Sequence, residues 1–322
     1  MEIKDLMAGS DVRGHYLLSR KELIPFSSKP GRFLLMQLSD KTADIRAIVW
    51  EQGERLAAEL NVGDVIEVEG RVTVFRDSLQ IVCSQVHKSL PGQYSIDKFL
   101  PTSTRNIEEM TSELSNLIES IIDSDCRGLL EAVFTGDFLT EFAKAPAARS
   151  MHQAYVGGLV EHTLNVARLC DTVVQLYPRV DRDVLITGAL LHDVGKVEEY
   201  ALAAGIEITD EGRLLGHISM GYKLVSEIVE SLPGFPPEKA LRIYHMLLSH
   251  HGELAWGSPK EPQTVEACIL HYTDNLDGQV SKYMEILAAG APGQTWTNYA
   301  KRLGRALYMG GQEKTDFPEN EL

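Results

Sequence analysis

From residue 11 to residue 88 apolar and polar positions alternate with a period of two. The clearest runs are Phe33-Leu34-Leu35-Met36-Gln37-Leu38, Asp44-Ile45-Arg46-Ala47-Ile48-Val49-Trp50, Val65-Ile66-Glu67-Val68-Glu69-Gly70-Arg71-Val72 and Leu79-Gln80-Ile81-Val82. Such alternation predicts half-buried strands, and Lys29-Pro30-Gly31, Ser39-Asp40-Lys41 and Val62-Gly63-Asp64 mark turns between them. The run from Glu51 to Leu60 breaks the alternation and predicts a short helix between the third and fourth strands. After a Pro/Ser/Thr-punctuated stretch from Pro91 to about Thr104, the period lengthens to that of helices. Ile107 to about Phe142 carries an apolar stripe of Leu114, Leu117, Ile118, Ile121 and Ile122, while Leu159, Val166, Leu169 and Val173 form a second. Val184-Leu185-Ile186-Thr187-Gly188-Ala189-Leu190-Leu191 is apolar nearly all round, which predicts a central, buried helix. Val265 to Tyr272 is another mostly apolar helix.

The pattern therefore predicts a multidomain chain, an all-β barrel followed by an all-α bundle. Five or so short strands, with the helix in that position, have the order of an OB-fold barrel. Boundaries fall at 1–90 for the barrel, 91–106 for a linker, 107–310 for the bundle and 311–322 for a polar, frayed tail. A length of 322 residues suits two to three domains. No apolar run is long enough to cross a bilayer, and Met1-Glu2-Ile3-Lys4-Asp5 does not read as a signal peptide, so a cytoplasmic protein is expected, with no membrane partner. Cys83, Cys126, Cys170 and Cys268 are far apart and form neither a zinc finger nor a disulfide framework.

Candidate chemistry is concentrated in the second half. Eight of the ten histidines follow position 150, five of them in Glu161-His162-Thr163, His192-Asp193-Val194-Gly195-Lys196, Gly216-His217 and Ser249-His250-His251-Gly252, and Asp274 follows these. Imidazole and carboxylate are the ligand set of a divalent transition metal, and this many could hold two ions. His162 falls on the apolar face of its helix. His192 and Asp193 fall at the end of the central one, with Gly195 as its terminator. A carboxylate in such surroundings needs a positive partner. His245 reads as a packing residue or one that supports a ligand, His271 could orient a ligand or simply be buried, and His15 and His87 have no partners in sequence.

The order of these elements resembles the HD superfamily of metal-dependent phosphohydrolases, whose signature is a distant His, a His-Asp pair and a distant Asp. Ala154 to Thr163, Leu191 to Val197, Leu215 to Ile218, Leu248 to Gly252, Gly257-Ser258-Pro259 and Leu270 to Asp277 resemble the YhaM-type 3′-to-5′ exoribonucleases more closely. That resemblance implies core metal ligands His162, His192, Asp193 and Asp274, with Asp193 able to bridge two ions. It assigns His217, His250 and His251 to a second ion and Lys196, with Asp193, to catalysis at the phosphate. Gln153 stands where a second histidine is expected beside His152, which puts any role of His152 in doubt. Thiolate-free, histidine-rich ligation suits manganese, iron, cobalt, nickel or zinc better than calcium; the residues do not choose among them, and manganese is the first expectation.

The barrel resembles the nucleic-acid-binding OB domains of the tRNA-anticodon type, through Val62-Gly63-Asp64-Val65-Ile66 and Gly70-Arg71-Val72. Such barrels stack bases on aromatics and track the backbone with cations. The candidates are Lys29, Arg32, Phe33, Arg46, Trp50, Arg71, Phe75 and Arg76, although alternation would bury some of the three aromatics. The chain carries 31 basic and 46 acidic residues, a net charge of -15. Residues 1–88 hold 12 and 13 of these, so the barrel is nearly neutral and the remainder carries -14. Long-range attraction to nucleic acid is therefore weak, and contact must be local. The expected function is a metal-dependent 3′-to-5′ exonuclease on single-stranded RNA or DNA. The alternatives are a phosphohydrolase of small nucleotides with a regulatory OB module, and a non-catalytic nucleic-acid-binding protein. A homo-oligomer stands among the expected partners, although no stretch of the chain specifies an interface.

Overall fold

The structure is a computed structural model and describes residues 2–310 except 27–28, 77, 91, 95–97, 150–152, 203–204 and 292. The chain forms two compact units, residues 1–104 with 200–209, and residues 105–199 with 210–322.

The first unit is a closed barrel of β1 (Asp11–Pro25), β2 (Arg32–Ser39), β3 (Asp44–Val49), β4 (Val65–Phe75) and β5 (Ser78–Lys88), in the order β1-β2-β3-β5-β4. β1 pairs antiparallel with both β2 and β4, and a short parallel pairing of β3 with β5, Arg46↔Gln80 to Ile48↔Val82, completes the closure. Alternation fills the inside. Leu34, Met36 and Leu38 of β2 meet Ile45, Ala47 and Val49 of β3, Ile66 and Val68 of β4, and Tyr16 and Leu18 of β1 in one buried core. α1 (Gly53–Glu59) lies between β3 and β4 and contributes Leu56 to that core, as does Leu60 just beyond it. The OB-fold order expected from the sequence is the order observed. The unit continues through the stretch read as a linker, to Thr104, because Phe99 is buried with Leu17 and Val65. A small hairpin of β6 (Tyr200–Leu202) and β7 (Ile206–Ile208) also belongs to this unit.

The second unit is helical: α2 (Ile107–Glu119), α3 (Ser124–Val133), α4 (Gly136–Lys144), α5 (Gly158–Leu176), α6 (Arg182–Leu191), α7 (Lys196–Glu199), α8 (Asp210–Ser231), α9 (Pro237–Ser249) and α10 (Val265–Ala288). Side chains of Asn106, Asp123, Asp181 and Thr264 accept hydrogen bonds from the first-turn amides of α2, α3, α6 and α10, so four starts are capped from the sequence itself. α6 is the central element, with every residue from Val184 to Leu191 buried. α5, α9 and α10 pack round it, and their apolar faces form one core with α2 and α3. No helix among the described residues is long and apolar enough to cross a membrane.

Two sequence expectations change. The stripe predicted from Leu114 to Ile122 stops at Glu119, where α2 ends, and Asp123 starts α3. Ile121 stays buried, but Ile122 falls in the turn and is 86% exposed. Gly195 does not end α6 with a left-handed residue; Leu191 ends it, with His192 as its cap. Glycine is needed at 195 because a Cβ there would lie 2.0 Å from the His217 carbonyl oxygen. The α6–α7 turn thus presses directly on the backbone that carries His217. A second glycine sets that backbone's course. α8 is broken at Gly216, with φ 73° and ψ 152°, in a region that side chains oppose, and His217 begins the helix that follows.

Gly216→Ala should therefore cost about 1–3 kcal/mol, although a Cβ there meets nothing within 4 Å. Gly128→Ala, in the interior of α3 and equally free of contacts, should instead gain about 0.5–1 kcal/mol. Urea unfolding of both variants checks the pair. Equal effects would show that the Gly216 backbone is not strained.

Candidate metal centre

Five histidines converge on one pocket of the helical unit, and each is oriented from behind. His162, in the second turn of α5, donates its Nδ1–H to Asp277 Oδ2 at 2.7 Å. Asn165 Nδ2 donates to the other oxygen of Asp277 at 3.1 Å. His192 and His250 cap the C-termini of α6 and α9 in the same way. Each donates Nδ1–H to the carbonyl three residues back, Ala189 and Leu247, at 2.8 Å. These carbonyls are among those that a helix end leaves without an intrahelical donor. His217 places Nδ1 3.1 Å from Glu199 Oε2, and its own amide donates to Glu199 Oε1 at 3.3 Å. His251 donates Nδ1–H to the Trp256 carbonyl at 3.0 Å. With Nδ1 as donor in His162, His192, His250 and His251, Nε2 is the nitrogen that the neutral ring leaves with a lone pair.

The lone pairs gather round Asp193, whose side chain is 2% exposed. Its Oδ2 lies 3.2 Å from His192 Nε2 and 3.5 Å from His162 Nε2. Asp274 Oδ1 lies 3.1 Å from His162 Nε2 and 3.9 Å from His192 Nε2. On the other side Asp193 Oδ1 lies 3.5 Å from His217 Nε2 and 3.6 Å from His250 Nε2. His217, His250 and His251 form a group whose donor atoms all lie within 4.8 Å of one another, and His162, His192 and Asp193 form another. One carboxylate thus touches both groups, one oxygen to each.

This arrangement fits divalent cations. Asp193 Oδ1, His217 Nε2 and His250 Nε2 are buried and have no hydrogen-bond partner among the described residues. Buried polar atoms are rarely left so. His162 Nε2 and His192 Nε2 face each other at 3.2 Å, which opposes two lone pairs unless a positive charge sits with them. Ligands bonded to one ion at about 2.1 Å lie about 3–3.5 Å apart, close to the spacings found. Without a cation, a proton on His162 takes part of its place. Burial alone would push the His162 ring down, but Asp193, Asp274 and Asp277 outweigh it and hold the ring well above its ordinary pKa. Burial would raise Asp193, yet Lys196, His192 and His162 keep its carboxyl well below the usual range. Asp274 is held low against burial by His162, His192 and His250. Burial pushes His250 and His251 down, which keeps them neutral, as ligands must be. Lys196 Nζ donates to Asp193 Oδ2 at 2.6 Å, so the one ammonium of the cluster stands on the shared carboxylate.

All seven residues proposed as ligands, with Lys196, are brought together. His152 lies outside the described residues. Of the histidines set aside, His245 accepts from the Gln263 amide at 2.8 Å and His271 donates to the His250 carbonyl at 2.9 Å. Sequence reasoning missed Asp277, Glu199 and Asn165. Asp277 lies three residues after Asp274, hence on the same helix face, and that spacing was a usable signal. Nothing in the local pattern marks Glu199.

On the barrel none of the eight candidates is buried. Phe33 and Trp50 lie with ring centroids 4.9 Å apart, and Phe26, which sequence reasoning missed, joins them at 5.5 and 6.2 Å. Lys29 Nζ stands 4.3 Å over the Phe26 ring. Arg46 and Arg76 lie 5.2 and 5.3 Å from the Phe75 ring. Arg46 and Ile48 share one face of β3, and the exposed Trp50 follows directly on the strand's end. Arg71 is on the same side through its pairing with Val82, but it faces Asp11 at 4.0 Å instead of an aromatic. Arg32 is exposed at the start of β2.

If the two groups hold separate ions, their outer partners should act separately. Asp277→Asn should weaken one manganese site by about 10- to 100-fold and Glu199→Gln the other, read by calorimetric titration of the metal-stripped protein. Loss of both sites together in either variant would contradict the two-group reading.

Residues 159–279 match the family model of the HD domain, and residues 17–88 match that of an OB-fold nucleic acid binding domain. The chain is similar over 87% of its length to proteins named 3′-5′ exoribonuclease YhaM. That of Listeria innocua is 32% identical over 280 residues, 89% of its length, and that of Bacillus subtilis is 32% identical over 280 residues, 88% of its length. One from Listeria monocytogenes is 33% identical over 281 residues, 89% of its length. The chain belongs to the YhaM family of 3′-5′ exoribonucleases.

Proposed function

We propose that this protein is a metal-dependent 3′-to-5′ exoribonuclease that holds two divalent cations, manganese by preference, and takes single-stranded RNA ahead of DNA. One observation carries the metal reading: four imidazoles donate Nδ1–H outward, a fifth, His217, sets Nδ1 against Glu199, and all five direct Nε2 toward a buried carboxylate. Direction and sugar rest on the relatives, which are named for that activity. His162, His192, Asp193 and Asp274 would hold one cation, and His217, His250, His251 and Asp193 the other. Bound there, divalent cations supply Lewis acidity, making water acidic enough to attack near neutral pH and neutralising the phosphodiester.

The chain's own groups do the rest. The carbonyls of Ala189 and Leu247 fix the tautomers of His192 and His250, so neither ring has to turn during the reaction. Lys196 Nζ, within reach of Asp193, would transfer its hydrogen bond to a phosphate oxygen when the strand arrives. Asp277 and Glu199 keep His162 and His217 in place through a cycle of changing charge. On the barrel, Phe33, Trp50 and Phe75 would stack bases while Lys29, Arg46 and Arg76 meet phosphates. Stacking is indifferent to sequence, which suits an enzyme that removes whichever nucleotide comes next.

The test is a time course on single-stranded RNA labelled at its 5′ end, with manganese. A ladder shortening one nucleotide at a time, abolished by chelator and by Asp193→Ala, is the expected result. RNA left intact by a preparation that hydrolyses nucleotides would favour a small-nucleotide phosphohydrolase instead. Trp50→Ala should raise KM for a long oligonucleotide by about 5- to 150-fold, the range of one lost stack, and leave hydrolysis of a small phosphodiester unchanged. Equal loss on both substrates would remove the barrel from substrate binding.

A further inference from the structure

The turn that follows the His250-His251 pair carries an aromatic group that neither the metal centre nor the barrel accounts for. Leu254–Trp256 forms one 3-10 turn, and the Trp256 side chain is 51% exposed. The turn beneath it is closely held. The amides of Trp256, Gly257 and Ser258 donate to the carbonyls of Glu253, Leu254 and Glu253, and Lys260 N–H donates to Leu248 O. The buried Ser258 hydroxyl reaches Lys260 O at 2.7 Å and Leu248 O at 3.2 Å, tying the turn to the last turn of α9.

The same tryptophan is joined to two adjacent candidate ligands. Its carbonyl accepts from His251 Nδ1 at 3.0 Å. Its ring lies 6.0 Å from that of His271, whose Nδ1–H donates to the His250 carbonyl at 2.9 Å. An indole left half in water on a pinned turn offers a flat, firmly placed face on which a base can stack. The centre beside it takes a phosphodiester and has no group described so far for the base attached to that phosphate.

We infer that Trp256 is the stacking platform for the 3′-terminal nucleobase, setting the last nucleotide so that its phosphodiester meets the metal centre. This rests on the exonuclease reading above. A stacked indole accepts all four bases and releases each after cleavage, whereas hydrogen-bond readout would impose a preference. The backbone carbonyl, not the indole, orients His251, so truncating the side chain leaves the ligand's support in place.

The test is a cycle of two substrates and three proteins. The substrates are 5′-labelled single-stranded RNAs, one intact and one with an abasic 3′-terminal residue. The proteins are wild type, Trp256→Ala and Trp256→Phe. The abasic end should raise the wild-type KM by about 5- to 150-fold with kcat nearly unchanged. Trp256→Ala should show that raised KM on intact RNA and lose nothing further on abasic RNA, while Trp256→Phe recovers most of the loss. Manganese content should equal that of wild type. The inference is overturned if wild type treats both ends alike, if the two penalties multiply, or if Trp256→Ala loses metal. Failure of wild type to shorten intact RNA would instead overturn the exonuclease reading on which it stands.

Discussion

Asp193 is a carboxylate at the end of a helix whose last eight residues are all buried, and the helical unit is arranged round the need to compensate it. Removing an ion of this kind from water costs several kcal/mol even after relaxation. Lys196 supplies one positive charge at 2.6 Å, on Oδ2 alone. Among the described residues Oδ1 faces the Nε2 atoms of His217 and His250, and none of the three has a hydrogen-bond partner. That side of the centre is therefore incomplete, and a divalent cation would complete it. That deficit explains why α5, α6, α8, α9 and α10 each deliver one donor or more to the same pocket.

The way the rings are held shows how few extra parts this takes. His192 and His250 use carbonyls of their own helices, groups that every helix end exposes. The C-termini of α6 and α9 both terminate at the cluster, and their partial negative charge favours a cation there as well. Where no helix end is available, a carboxylate serves: Asp277 behind His162 and Glu199 behind His217. Burial would raise Glu199, but His217 draws it down, so it stays an anion and an acceptor. The close approach of Gly195 to the His217 carbonyl and the break at Gly216 are the backbone counterparts of the same design.

Much of this was legible in the chain, for a physical reason. Period-two alternation and helical stripes report which face of each element is buried, so β2 to β5 and α6 could be drawn before any coordinates. Donor residues announce themselves by type, because histidine beside aspartate at the end of an apolar helix is expensive without a partner. β1 was harder, since Arg13-Gly14-His15 interrupts its alternation and Arg20-Lys21-Glu22 extends it as a polar run. Ile122 was misplaced because a periodic stripe does not show where a helix stops; Asp123 does. Glu199 and Phe26 were invisible for another reason. Their roles depend on what the fold brings opposite them, and no local spacing encodes that.

The division of charge between the two units bears on how a strand is handled. Residues 1–88 are nearly neutral while the remainder carries -14, so neither unit attracts a polyanion from a distance. A basic channel would bind RNA more tightly, but each phosphate contact would have to break at every one-nucleotide step. The proposed stacking on Phe33, Trp50 and Phe75 would be shorter in range and the same for every base, so an advancing strand would exchange one base for the next at little net cost. On the proposed reading, strong electrostatic attraction is confined to the bond being cut, where cations held by Asp193 and its histidines would meet a single phosphate.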